Sequence, residues 1–204
     1  MQLMKNYSMK IEINKSVFER FPKLESERLL FRNILLSDSK DLYLIESNEA
    51  VLKYMDKHKM ESIRDSEKYI RSCRASYKNG NSIEWGIIEK SSNSFIGYFG
   101  FWRIIKEHCR AEIGYSLSPN YWGKGYMTES LKKMLAFGFN KLRLHSIEAN
   151  VNPNNNKSIK LLEMIGFKKE AYFRENFLFD DKFIDTITYS LLERDLKDSL
   201  DTTV

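Results

Sequence analysis

The segment Pro119-Asn120-Tyr121-Trp122-Gly123-Lys124-Gly125-Tyr126-Met127-Thr128-Glu129 holds the residues most able to do chemistry. Gly123 and Gly125 can adopt dihedrals that other residues resist, and they let a ligand come close to the main chain. A helix starting directly after them offers unpaired N–H groups and the positive end of its dipole. Such a corner suits an anion, a diphosphate especially. Two common phosphate motifs fail here on spacing. A P-loop needs Gly-Lys-Ser/Thr after a four-residue gap, which Gly123-Lys124-Gly125 does not supply. A dinucleotide fingerprint needs a third small residue where Thr128 stands. The alternative is a glycine-rich helix entry with no ligand.

The flanking patterns say what must position this corner. Arg110–Leu117 alternates as a strand: Ala111, Ile113, Tyr115 and Leu117 face one way, and Glu112, Gly114 and Ser116 the other. One face is core; the other is small and polar, as a cleft wall is. The helix after the corner runs to Asn140, with Met127, Leu131, Met134 and Leu135 as its buried stripe. His145–Val151 is a strand, and Asn155–Ile165 is a helix closed by Gly166. Upstream, Arg28–Asn33 reads as a strand, Ser37/Asp38 to about Tyr54 as one helix, and Ser62–Lys78 as another. Ile83–Glu89 and Ser94–Ile104 form a hairpin. Its second strand is apolar on both faces, with Phe95, Phe99 and Phe101 alternating with Ile96, Tyr98 and Trp102, which predicts a central position. Phe167–Arg174 and Phe183–Leu192 close the chain as two antiparallel strands. The order predicts an α/β domain with a mixed sheet and helices on both faces. Residues 1–23 read as an N-terminal adapter segment, 24–194 as the domain and 195–204 as a tail.

Composition narrows the class. The 204 residues suffice for one core. With 42% hydrophobic residues the chain is not disordered, and with 3 Pro it has no Pro-rich linker. Cys73 and Cys109 cannot make a disulfide framework, and His58, His108 and His145 are scattered, so no metal is expected. The N-terminus lacks a signal-peptide core, and no stretch approaches a membrane span. A cytoplasmic setting without a membrane partner is the expectation. The net charge of +5 comes from interleaved charges, which read as a solvated surface and not as a direct nucleic-acid footprint.

Three stretches together resemble the GNAT superfamily of N-acetyltransferases, and within it the RimJ/RimL-type ribosomal-protein N-terminal acetyltransferases. They are Ala111-Glu112-Ile113-Gly114-Tyr115, Tyr121 to Glu129, and Asn155-Asn156-Lys157-Ser158 leading into Leu162-Glu163-Met164-Ile165-Gly166-Phe167. The resemblance implies a mostly antiparallel twisted sheet of about six to seven strands, splayed at an acetyl-CoA cleft. It implies acetyl-CoA as cosubstrate, with its diphosphate on the backbone of Trp122, Gly123, Lys124, Gly125, Tyr126, Met127 and Thr128. The pantetheine arm would lie along Tyr115, Ser116 and Leu117, bonded also to Asn155, with Ser158 facing the same cleft. Trp122 and Met127 depart from the family's usual residues in this turn. Leu162 replaces a tyrosine that in many members protonates the leaving thiolate, which passes that role to Ser158 or to water.

Direct transfer to an amine then needs a base, and Glu112 is the candidate, acting directly or through a water; an ion pair with a nearby Arg or Lys is its alternative reading. Glu129, in a first helical turn, reads as structural. A backbone N–H near Tyr115 would hold the thioester oxygen. Trp85, Tyr98, Phe99 and Trp102 could line an acceptor pocket, and Lys132 and Lys133 could reach the coenzyme's 3′-phosphate. Cys109 as an acyl carrier fits less well than direct transfer. The acceptor implied is a protein N-terminal α-amine, ribosomal or other. A small amine (polyamine, amino sugar, antibiotic) and a non-catalytic CoA-binding module are the alternatives. Exposed aromatics are compatible with a homodimer.

Overall fold

The computed structural model describes residues 11–196. Eight strands form one sheet in the order β1-β2-β3-β4-β5-β6-β8-β7. They are β1 (Leu24–Glu25), β2 (Leu29–Asn33), β3 (Ile83–Glu89), β4 (Ser94–Ile105), β5 (Arg110–Leu117), β6 (Ser146–Val151), β7 (Lys168–Phe179) and β8 (Lys182–Leu192). Only β5 and β6 run parallel. The sheet is thus mostly antiparallel, as expected, with slightly more strands than six to seven; the two-residue β1 is too short to leave a periodic signature. β4 is fourth in the order, and its predicted central place holds.

Helices cover both faces. On one lie α4 (Tyr126–Asn140) and α5 (Asn156–Ile165), packed on the main core around Trp85, Phe99, Phe101 and Leu135. On the other lie α1 (Ser39–Glu46), α2 (Glu49–Leu52) and α3 (Ile63–Lys78), over a smaller core of Ile34, Leu42, Ile70, Phe95 and Tyr98. The single helix expected to reach Tyr54 is broken after Glu46. Asn48 is extended, and its side-chain oxygen accepts from Ala50 N, starting a new helix instead of continuing the old one.

Two irregularities in β4 correct the simple alternation. Against β3 the register shifts between Ile87 and Ile88. Ile96 therefore joins the core of Phe99, and Phe95 joins that of Tyr98, the reverse of the predicted faces. One unpaired residue exchanges the two sides of a strand. Against β5 the register skips Trp102, which is left on a bulge and 47% exposed.

The segment read as an adapter is described from Ile11, and much of it is built into the domain. Ile13 is buried, Asn14 N–H bonds Leu142 O, and the Trp85 indole donates to Pro22 O. At the other end Asp195 pairs with Lys168, and 197–204 lie outside the described residues. Apart from Trp102, the exposed aromatics among the described residues lie on the β7–β8 hairpin: Tyr172, Phe173, Phe177 and Phe183. Among the described residues no helix is long and apolar enough to cross a membrane.

Candidate active site

β5 leads into the glycine corner through a short 3-10 turn, Pro119–Tyr121, and α4 begins at Tyr126. Gly123 and Gly125 have φ of 71° and 78°, in the left-handed region where only glycine is unstrained. Trp122 N–H is bonded to Pro119 O, so this one of the expected phosphate amides is already used. Among the described residues the next six amides, from Gly123 to Thr128, make no well-formed hydrogen bond, and the first bond of the helix is Glu129 N–H to Gly125 O. Four such groups are the ordinary deficit of a helix start; Gly123 and Lys124 extend it. An ideal Cβ on Gly123 would have nothing within 4 Å, so the corner opens to solvent.

The corner is braced through Glu129 by Ser26 and Arg28, which were not expected there. Glu129 accepts from Ser26 Oγ (2.7 Å), Arg28 N (2.8 Å) and Arg28 Nε (2.7 Å). Burial raises the Glu129 pKa, yet the bonds from Ser26 and Arg28 outweigh it and leave a net lowering. Glu129 is structural, as its place in the first turn suggested. Arg28 Nη1 donates to Lys124 O at 3.0 Å, its guanidinium lies over the Tyr126 ring, and Nη2 comes within 3.5 Å of an ideal Cβ on Gly125. A cation thus stands beside the free amides. The only sequence signal for it was an arginine opening a strand, about a hundred residues away. Lys132 and Lys133 lie further along α4, and Lys132 is exposed.

β5 and β6 pair only at Arg110↔Ser146, Ala111↔Ile147 and Glu112↔Glu148, then separate. Ser118 N–H bonds Ile96 O on β4. Antiparallel alternation therefore turns the main chain of Gly114 and Ser116 toward β4, and that of Ile113, Tyr115 and Leu117 toward the opening. This corrects the expectation for Ser116, whose backbone is engaged with β4. Leu117 O is also taken, by the Trp122 indole at 2.7 Å. Tyr115 N–H and C=O and Leu117 N–H are what β5 presents to an extended arm.

Across the opening stand Asn155 and Ser158. Asn155 caps α5, its Oδ1 accepting from Ser158 N at 3.1 Å. Ser158 Oγ and the Tyr115 hydroxyl are 2.7 Å apart, bridging β5 and α5. Burial pushes the Tyr115 phenol up to about 12, with the Ser158 bond pulling the other way, so it stays protonated at neutral pH. Leu162 is fully buried in the core.

On the opposite face Glu112 lies at the last position where β5 pairs with β6. Its Oε1 accepts from Asn150 Nδ2 at 2.9 Å, and Oε2 is 2.9 Å from Arg103 Nη2. The ion pair anticipated as an alternative reading is present. Burial raises the Glu112 pKa, opposed by Asn150 and Arg103, and the net shift is upward. Of the predicted acceptor aromatics, Trp85 and Phe99 are fully buried core. Tyr98 and Trp102 lie on or near the Glu112 face. Cys109 is buried at a left-handed turn, Sγ 3.8 Å from Lys106 O.

Residues 28–168 match the family model described as an acetyltransferase (GNAT) domain. The Bacillus subtilis (strain 168) N-acetyltransferase YoaA is 35% identical over 173 residues, 85% of this chain and 98% of that one. The [ribosomal protein uS5]-alanine N-acetyltransferase of Escherichia coli (strain K12) is 29% identical over 120 residues, 58% of this chain and 62% of that one. The fold is shared, with a TM-score of 0.75 at 21% identity over 84% of this chain and 99% of that one, with Vibrio cholerae spermidine N-acetyltransferase, solved with CoA and spermine.

Proposed function

The chain belongs to the GNAT acetyltransferase family and is an N-acetyltransferase using acetyl-CoA, and from that premise we propose that its acceptor is the α-amine of a protein or peptide N-terminus. The observation that carries the coenzyme assignment is the run of six unpartnered amides from Gly123 to Thr128, beside the opening between β5 and β6. The residues fit the group: free N–H donors and Arg28 for the diphosphate, the Tyr115 and Leu117 edge and Asn155 for the pantetheine arm. Bound there, acetyl-CoA supplies a thioester carbonyl for nucleophilic attack.

In the proposed mechanism Tyr115 N–H holds the carbonyl oxygen as charge develops on it. Glu112 takes the acceptor's proton through a water. The Tyr115–Ser158 hydroxyl pair faces the leaving sulfur. A phenol near 12 does not hand its proton downhill to a thiolate whose thiol is near 8.5. The pair therefore stabilises the thiolate by hydrogen bonding; the released thiolate is protonated from the bulk solution at pH 7, which balances the proton that Glu112 returns to solvent.

The acceptor reading draws on amine chemistry. An α-amine of pKa about 8 is roughly a tenth neutral at pH 7, whereas a lysine of about 10.4 is neutral in fewer than ~1 in 1,000 molecules. Glu112, shared between Arg103 and Asn150, is a modest base and suits the first. The Escherichia coli relative's named substrate, a ribosomal-protein alanine, is of this class. CoA-thiol release across peptides and small amines tests it. Peptides with a free α-amine should turn over at least ~100-fold faster at pH 7 than N-blocked peptides bearing a lysine. Turnover confined to polyamines, amino sugars or antibiotics would favour the small-amine reading, and coenzyme binding without turnover a non-catalytic module.

Arg28 supplies a separate prediction. Arg28→Gln should weaken acetyl-CoA binding about tenfold by calorimetry, the size of one partly screened charge-assisted contact, with kcat at saturating coenzyme unchanged.

A further inference from the structure

The main chains of β5 and β6 stop pairing at Glu112↔Glu148, and beyond that point a side chain ties them. Asn150, two residues further along β6, shares a face with Glu148. Its Nδ2 donates to Glu112 Oε1 at 2.9 Å and to Glu148 Oε1 at 3.1 Å. Had the ladder continued, Asn150 would lie opposite Gly114. An ideal Cβ on Gly114 would meet nothing within 4 Å except Trp102, at 3.4 Å and 3.9 Å. The floor beside the Asn150–Glu112 bond is therefore low, and an acceptor nitrogen placed over Gly114 would sit next to the Glu112 carboxylate.

Asn150 is itself held from its other side. β8 pairs with β6 so that Thr188 lies opposite Asn150, and Thr188 Oγ1 donates to Asn150 Oδ1 at 2.6 Å. A primary amide has one accepting end and one donating end. Here the accepting end meets a hydroxyl and the donating end meets two carboxylates. Turned over, Oδ1 would face both carboxylates and Glu112 would lose a donor. The amide has no proton to give up near neutral pH, so the chain Thr188–Asn150–Glu112 holds the carboxylate and does not conduct its proton. The charged groups around Glu112 are Arg103 on β4, Arg110 on β5 and Glu148 on β6, and Glu148 is paired with Arg110. Burial raises the Glu112 pKa, and the Asn150 bond opposes that rise more than Arg103 does.

We propose that Asn150 and Thr188 are positioning residues for the transfer: together they fix the Glu112 carboxylate at the base of the β5–β6 opening, beside the space over Gly114. The inference rests on Glu112 being the base, and it adds the residues through which the sheet sets that base. Arg103 does not suffice for this. Its side chain is 49% exposed and long, and it divides between Glu112 at 2.9 Å and Glu148 at 3.8 Å. So exposed an ion pair fixes little. Asn150 is short, rises from the strand next to Glu112 and is bonded at both ends of its amide.

Two measurements test it. One is kcat at saturating acetyl-CoA with a tetrapeptide amide bearing a free α-amine. The other is the titration of the Glu112 carboxyl, followed by NMR of the CoA-loaded, carboxyl-labelled enzyme and assigned by its absence from Glu112→Gln. Asn150→Asp keeps the shape and sets a carboxylate against Glu112. The titration should move up by about one pH unit or more, and kcat at pH 7 should fall at least about tenfold, with the KM for acetyl-CoA unchanged. Thr188→Val keeps the shape and removes the hydroxyl; it should lower kcat severalfold, and Thr188→Ser should recover most of that loss. Asn150 is exposed and Thr188 half-buried, so these variants should fold. A lowered melting temperature with wild-type kcat and titration would make the pair a stabiliser of the sheet and overturn the proposal. A titration that moves without loss of kcat would do the same. Full activity in Glu112→Gln would sink the base and this inference together, whereas activity lost there but kept in the Asn150 and Thr188 variants would sink the positioning role alone.

Discussion

Gly125→Ala should weaken acetyl-CoA binding roughly 100-fold or more and lower folding stability by only about 1–2 kcal/mol. The two numbers have different origins. At φ 78° an alanine is strained in the free and bound enzyme alike, so the strain appears in stability. An added Cβ would meet only Arg28 Nη2 at 3.5 Å, an ordinary contact, so the unliganded corner does not clash. The methyl group does stand among the free amides of Lys124, Tyr126 and Met127, where a phosphate must come close. Losing two charge-assisted bonds of about 1.5–3 kcal/mol each gives the affinity estimate. Gly166→Ala is the control: φ is 104°, at the end of α5 and away from the amides. It should lose stability and keep its affinity. Equal affinity losses in the two variants would mean that the corner acts through general loosening and binds no phosphate.

Glu112→Gln should reduce kcat about 100-fold at pH 7 with the KM for acetyl-CoA little changed, within the usual range for removing a general base. The pH profile provides the sharper check. A base works when deprotonated, so the rate climbs as pH rises through its pKa. Burial raises the Glu112 pKa, which moves this acid limb above the ordinary glutamate range, and in Glu112→Gln the limb should vanish. Stability behaves oppositely. A carboxyl whose folded pKa exceeds its unfolded value binds protons better when folded, so its contribution to stability is lost as pH rises through that window. Replacing it with neutral Gln should therefore not unfold the protein, and half-exposed Arg103 can be solvated by water. An unchanged rate at pH 7 would leave Glu112 as the partner of Arg103 and Asn150 alone.

Much of this was legible along the chain. The bounds of β3 and β5, and the end of α4 at Asn140, follow from alternation and from an apolar stripe, both local periodicities. Leu162 announced that no phenol stands there, and it is core. The break after Glu46 was not legible: Asn48 suits a turn or a cap, and only the folded chain shows that it starts α2. The faces of Phe95 and Ile96 were misread because a bulge depends on what the neighbouring strand can pair with. Trp85 and Phe99 were misplaced because aromatic residues in strands serve core and pocket alike.

By itself the sequence determined the glycine corner, the helix after it and the three stretches that mark the family. Positive φ requires glycine, and a helix start leaves its amides free whatever surrounds it. The tertiary structure alone decided which groups meet: Arg28 at the carbonyl of Lys124, Ser158 at Tyr115, Glu84 over Gly100. Those partners are separated by 16 to 96 residues in the numbering, and strand register, bulges and the β5–β6 split bring them together. Hydrophobic period records which face of an element is buried; it does not record which residue lies across from it.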